Sequence, residues 1–177
     1  MRTNTIAGGA LAALLIAVGL GVGCPTALAD EPYADLVVEP NTVTDSTAYA
    51  VLSPPIANPD GQNGISTVYT HRDSTRTITD TILVLPDAGA ASAALPAQLN
   101  GSVVGGSPKP AAVGTGGTMI AGTSPDGSRS LTVLGFTQGN TAVAIEFEGA
   151  LHDPVPSDLA LEIGQAQATL IKDRSPV

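Results

Sequence analysis

Residues 141–148 read TAVAIEFE, and no other stretch restricts the fold as strongly. Val143, Ile145 and Phe147 alternate with Ala142, Ala144, Glu146 and Glu148. A period of two with one apolar face is the signature of a half-buried antiparallel strand. The stretch 131–137 (LTVLGFT) precedes it, and Gln138-Gly139-Asn140 turns one into the other. A second hairpin is written the same way. Residues 65–72 (ISTVYTHR) and 77–85 (TITDTILVL) are rich in β-branched residues and flank the turn Asp73-Ser74-Thr75. Ile78, Asp80, Ile82 and Val84 share one face of the second strand. Shorter strands are expected at 47–52 and 118–123, with a brief one at Leu36-Val37-Val38.

Two helices interrupt the strands. After Pro86, Asp87 is a natural N-cap, and Ala88, Ala91, Leu95 and Leu99 follow at helical spacing. Pro96 is expected to kink or end this helix. The last helix is expected from Ser157 as N-cap. Its apolar stripe is Leu159, Ile163, Ala166 and Leu170, and Lys172 and Arg174 complement its C-terminal dipole. The stretch 103–117, with five glycines and two prolines, reads as a long loop. Short connections favour antiparallel pairing. The expected fold is therefore α+β, with one twisted antiparallel sheet of five to six strands and two packed helices. The order is β-β-β-α-β-β-β-α. With no Trp, three Tyr and two Phe, the core must be mostly Val, Ile, Leu and Ala.

The first 29 residues stand apart. Arg2 supplies a positive start, residues 6–23 are uncharged and apolar, and Ala27-Leu28-Ala29 is a small-x-small site before Asp30-Glu31-Pro32. That is the three-part pattern of a secretory signal peptide, with cleavage expected between Ala29 and Asp30. The lone cysteine, Cys24, follows Gly21-Val22-Gly23 and is a candidate lipidation site, although a lipobox normally has Leu where Gly21 stands. Cleavage after Ala29 leaves no thiol for a disulfide, a metal or catalysis, whereas lipidation makes Cys24 an anchor. The chain then divides into a signal peptide (1–29), a polar leader (30–46) and a single domain (47–174).

Sixteen acidic residues against seven basic ones repel phosphate backbones and anionic lipids, which argues against nucleic acid as a partner. Membrane contact is expected only through the signal peptide or a lipidated Cys24. No spacing of His, Cys, Asp or Glu supplies a metal site, and no motif supplies a cofactor site. His71 and Asp73 could act as an acid–base pair, but they read as a polar pair at a hairpin end, since nothing in the sequence supplies a pocket or a tuned pKa. Glu146 and Glu148, with Asp80 on a neighbouring strand, could act as paired carboxylates, but they read as the solvated face of a sheet. Ser124, in Gly122-Thr123-Ser124-Pro125-Asp126-Gly127, lacks the spacing of a nucleophile elbow and reads as a turn residue. No catalytic residue is assigned.

The strand ending ILVLPDAGAASAAL, together with TSPDG, FTQGN and the C-terminal helix, resembles the small exported proteins and lipoproteins of mycobacteria and their relatives, the LpqN-like lipoproteins among them. The resemblance implies export and an α/β sandwich like that of PsbP, and it transfers no functional residue. The expected function is a secreted or envelope-associated binding module, not an enzyme, for an apolar ligand or an exported partner protein. The uncovered sheet face and the loop 103–117 are its expected contact surfaces. The alternatives are a hydrolase using His71 and nearby carboxylates, and a structural or interaction domain without a pocket.

Overall fold

The computed structural model describes residues 31–100 and 102–174. The expected cleavage site Ala29/Asp30 and Cys24 lie outside the described residues.

The two hairpins form as their alternation dictates. Strands β3 (Gly64–His71) and β4 (Thr77–Val84) pair antiparallel, as do β7 (Arg129–Gln138) and β8 (Thr141–Ala150). β4 pairs with β8, which joins the hairpins at the centre of the sheet. β1 (Tyr49–Val51) and β2 (Ile56–Ala57) both pair with β3, while β6 (Thr115–Thr123) pairs with β7 and β5 (Lys109–Pro110) with β6. The result is an α+β fold with one antiparallel sheet of eight strands. This exceeds the five to six expected because two strands of two residues, β2 and β5, are too short to show any alternation. Their shortness blunts both sheet edges.

Helices α1 (Ala88–Leu99) and α2 (Ser157–Arg174) lie on opposite faces of the sheet. Two neighbours on β7 show this. A Cβ on Gly135 would sit 2.5 Å from Leu99 of α1, and Leu134, pointing the other way, lies 2.3 Å from where a Cβ on Gly164 of α2 would be. Glycine at each position lets helix and sheet meet. The α2 face holds the core: Ile65, Tyr69, Ile78, Ile82, Leu134, Val143, Ile145 and Phe147 pack with Ile163 and Ile171. Each such side chain contributes about 1.5–3 kcal/mol on burial.

Several local features differ from the sequence pattern. Asp87 caps α1 as expected, accepting from the Ala90 N–H at 2.8 Å, but the helix continues through Pro96 to Leu99. Pro96 is exposed, so the ring is tolerated at the surface of the helix. The buried face of α2 is Ala160, Ile163, Gly164, Gln167, Ala168 and Ile171, rotated from the expected stripe, of which Leu159, Ala166 and Leu170 are only partly buried. The helix already includes Ser157, one residue earlier than an N-cap there would allow. The expected leader 30–46 is packed onto the body, with Leu36 and Val38 in the core. It forms 3-10 turns at Ala34–Leu36 and Pro40–Thr42 instead of the short strand. Part of the expected loop 103–117 joins the sheet as β5 and the start of β6.

Candidate functional site

Among the described residues, the groups weighed from the sequence line none of the three depressions described below. His71 Nδ1 lies 2.6 Å from Asp73 Oδ1, and the same oxygen accepts from the Thr75 N–H (2.9 Å) and hydroxyl (2.7 Å). The Thr75 donors, with His71 adding to them, hold the Asp73 carboxyl well below the usual carboxylate range. The Tyr49 ring meets the imidazole edge-on at a 5.2 Å centroid distance. This is a hairpin turn tied by its own side chains. Ser124 is tied likewise. Its hydroxyl donates to Asp126 at 2.6 Å and accepts from the Arg129 N–H at 3.1 Å, as a turn residue should.

The carboxylate group does not assemble. Thr79 is opposite Glu146 and Thr77 opposite Glu148, whereas Asp80 is opposite Ile145. Asp80 therefore points to the α2 face and both glutamates to the α1 face. Glu148 is paired with Arg129 at 2.8 Å. Among the described residues, no group of three or more His, Cys, Asp or Glu could hold a metal ion, and no helix is long and apolar enough to cross a membrane.

A cleft of about 370 Å³ is the feature best suited to a ligand. It lies on the α1 face, between α1 and β6. Leu95, Pro96 and Leu99 wall it from the helix, Ile120 and Thr118 from β6, and Pro108 from the segment before β5. Local sequence explains its position. Gly135 draws Leu99 down onto β7, which seats the C-terminal half of α1. β6 lies one strand further out, so the helix overhangs it. Among the described residues, no ionisable side chain lines the cleft. The Thr118 and Thr137 hydroxyls donate to the carbonyls of Gly116 and Thr115, each at 3.2 Å. Pro96 has no N–H to offer the Ser92 carbonyl four residues back, and both residues line the cleft. The lining is thus mainly apolar, with the hydroxyls of Ser92, Thr115, Thr118 and Thr137 and the Asn100 amide as its polar groups. A few convergent polar groups on an apolar wall is how small-molecule sites are built, and their volumes run from roughly 300 to 1,000 Å³.

Two other depressions differ in character. One of about 270 Å³ lies on the other side of α1, where Asp60, Gln62, Thr81 and Gln98 stand among Pro59, Leu83, Ala94 and Ala97. A groove of about 490 Å³ runs between residues 37–42 and α2, with Glu39, Asp173 and Arg174 along it.

Sequence reasoning missed a buried polar set on the α2 face. Asp80 is 1 % exposed, and neither carboxyl oxygen has a hydrogen-bond partner among the described residues; the neighbouring Thr67 hydroxyl has none there either. Burial pushes the Asp80 carboxyl up to about 8. Tyr69, on the same face, is raised by burial first and then by Glu39 and Asp80. The available signal was Asp80 standing between Ile78 and Ile82 at core-facing positions.

No family model, curated protein or solved structure matches this chain.

Proposed function

We propose that this chain is an exported binding module of the bacterial envelope that holds an apolar small molecule between α1 and β6. The observation that carries the reading is the cleft of about 370 Å³ with no ionisable side chain in its lining. An uncharged wall in a protein of net charge −9 selects by apolar contact, since charge elsewhere serves solubility. The Ser92 carbonyl, without its helical donor, suits a ligand that carries a hydroxyl group. Export rests on the N-terminal pattern of residues 1–29, with Cys24 as the lipid anchor if the chain is tethered. The likeness to LpqN-like lipoproteins supports the same compartment. His71 belongs to a hairpin turn and lines none of the three depressions, so it receives no catalytic role.

The test is titration with N-phenyl-1-naphthylamine, an apolar fluorophore, followed by displacement with decanol. Wild-type protein is expected to bind one equivalent saturably. Ile120→Trp, which fills the cleft from β6, is expected to weaken binding at least about tenfold. Absence of saturable binding, or equal binding by the variant, would overturn the proposal.

A further inference from the structure

Residues 36–38 cross the α2 face of the sheet and are fastened by side chains. Gln167, fully buried on α2, takes two backbone groups of this stretch: its Oε1 accepts the Val38 N–H at 2.7 Å, and its Nε2 donates to the Leu36 carbonyl at 2.5 Å. The Tyr69 hydroxyl donates to the Val38 carbonyl at 3.2 Å. On the same sheet face as Tyr69 lie three buried polar atoms with no partner among the described residues: Thr67 Oγ1 and both carboxyl oxygens of Asp80. Buried polar atoms are nearly always satisfied, and a cluster that is not calls for an explanation in function.

The sheet register brings the set together. Tyr69 is opposite Ile78 and Thr67 is opposite Asp80, so Tyr69 and Asp80 are diagonal neighbours on one face. Such positions lie about 7–8 Å apart, within reach of long side chains for a common point between them. A carboxyl held neutral by its apolar surroundings is a hydrogen-bond donor, as is a tyrosine hydroxyl. Burial is the cause that raises Asp80, and it stays protonated up to about pH 8. Two neutral donors on one face of an apolar interior suit an uncharged carbonyl oxygen, and Val38 already supplies such an oxygen to Tyr69.

We propose that Tyr69, Asp80, Thr67 and Gln167 form a second binding site, for an apolar ester or amide, and that residues 36–38 cover it as a displaceable internal substitute. The groove of about 490 Å³ between Val37, Val38 and α2 residues Ala166 and Leu170 marks the seam along which the ligand enters. Its carbonyl oxygen takes the Tyr69 hydroxyl now serving Val38 C=O and adds the unpartnered Asp80 carboxyl, and its chain takes the apolar contacts of Leu36 and Val38. This site is on the opposite sheet face from the cleft beside α1, so the two readings stand or fall separately.

The test uses the full chain with methyl decanoate as probe and undecane as control, read by amide hydrogen exchange and ¹⁵N NMR in the Ile120→Trp background and in wild type. The ester is expected to speed exchange of the Val38 N–H at least about tenfold, saturably, in both, and to shift the Gln167 side-chain amide; undecane is expected to do neither. Asp80→Ala is expected to weaken the ester at least about fivefold, because the Asp80 carboxyl has no partner among the described residues until the ester arrives. Tyr69→Phe removes one hydrogen bond from the strap and one from the ester, so it is expected to leave affinity within about twofold while speeding Val38 exchange in the free protein. Unchanged Val38 protection at saturating ester, an equal effect of undecane, or undiminished binding by Asp80→Ala would overturn the proposal. Should Asp80→Ala fail to fold, Asp80→Leu, close in size and without a donor, takes its place: it is expected to weaken the ester likewise, and undiminished binding by it overturns the proposal equally.

Discussion

Replacing Asp80 by Asn should make the protein more stable, and increasingly so as pH rises. In the unfolded chain the carboxyl ionises near its ordinary value of 3.8, while burial in the folded protein pushes it up to about 8. Between those values the unfolded state releases a proton that the folded state keeps. Stability is therefore lost as pH climbs through this window, and the loss levels off above it. Each pH unit within the window costs about 1.4 kcal/mol. From pH 5 to pH 8 the wild type should lose about 4 kcal/mol through this one group, a large part of the 5–15 kcal/mol typical of a domain. Asn has nearly the same shape and no titration. Urea unfolding followed by circular dichroism should show the stability difference between Asp80→Asn and wild type moving in the variant's favour by about 4 kcal/mol between pH 5 and pH 8. The surface carboxylates are common to both proteins and cancel in the difference. Parallel pH profiles would refute the reasoning, because they would mean that the carboxyl is solvated or paired when folded.

Gly164→Ala should destabilise by about 1–3 kcal/mol, because the new Cβ would lie 2.3 Å from Leu134 in a filled core and outweigh the better helix propensity; thermal unfolding measures it. Gln167→Leu leaves the Val38 N–H and the Leu36 carbonyl without their partners and should cost about 2–4 kcal/mol, with loss of exchange protection at Val38. Asp87→Ala removes the cap on the Ala90 N–H and should cost about 1 kcal/mol in urea unfolding.

Strand alternation carried most of the fold. The turns at 73–75 and 138–140 placed both hairpins, and the Asp87 cap placed the start of α1, because each depends on residues close in sequence. What stayed hidden depends on distant partners. The buried face of α2 turns on Gln167, a polar residue that periodicity assigns to solvent, whose partners lie some 130 positions earlier in the chain. Gly164 has no side chain to register in an apolar stripe, yet it is the point of closest approach to β7. Asp80 could be assigned to the face of Ile78 and Ile82, but grouping it with Glu146 and Glu148 needed the register between β4 and β8, which no local pattern encodes. The cleft beside α1 was equally hidden, since it arises where Gly135 seats the helix and β6 extends beyond it.

The most direct test of the binding reading is a set of intermolecular NOEs between decanol and the methyl groups of the isotope-labelled protein. Contacts from the alkyl chain to Leu95, Leu99 and Ile120 are the predicted result. Saturable binding with contacts only to methyls outside this cleft, or no intermolecular contact at all, would contradict it.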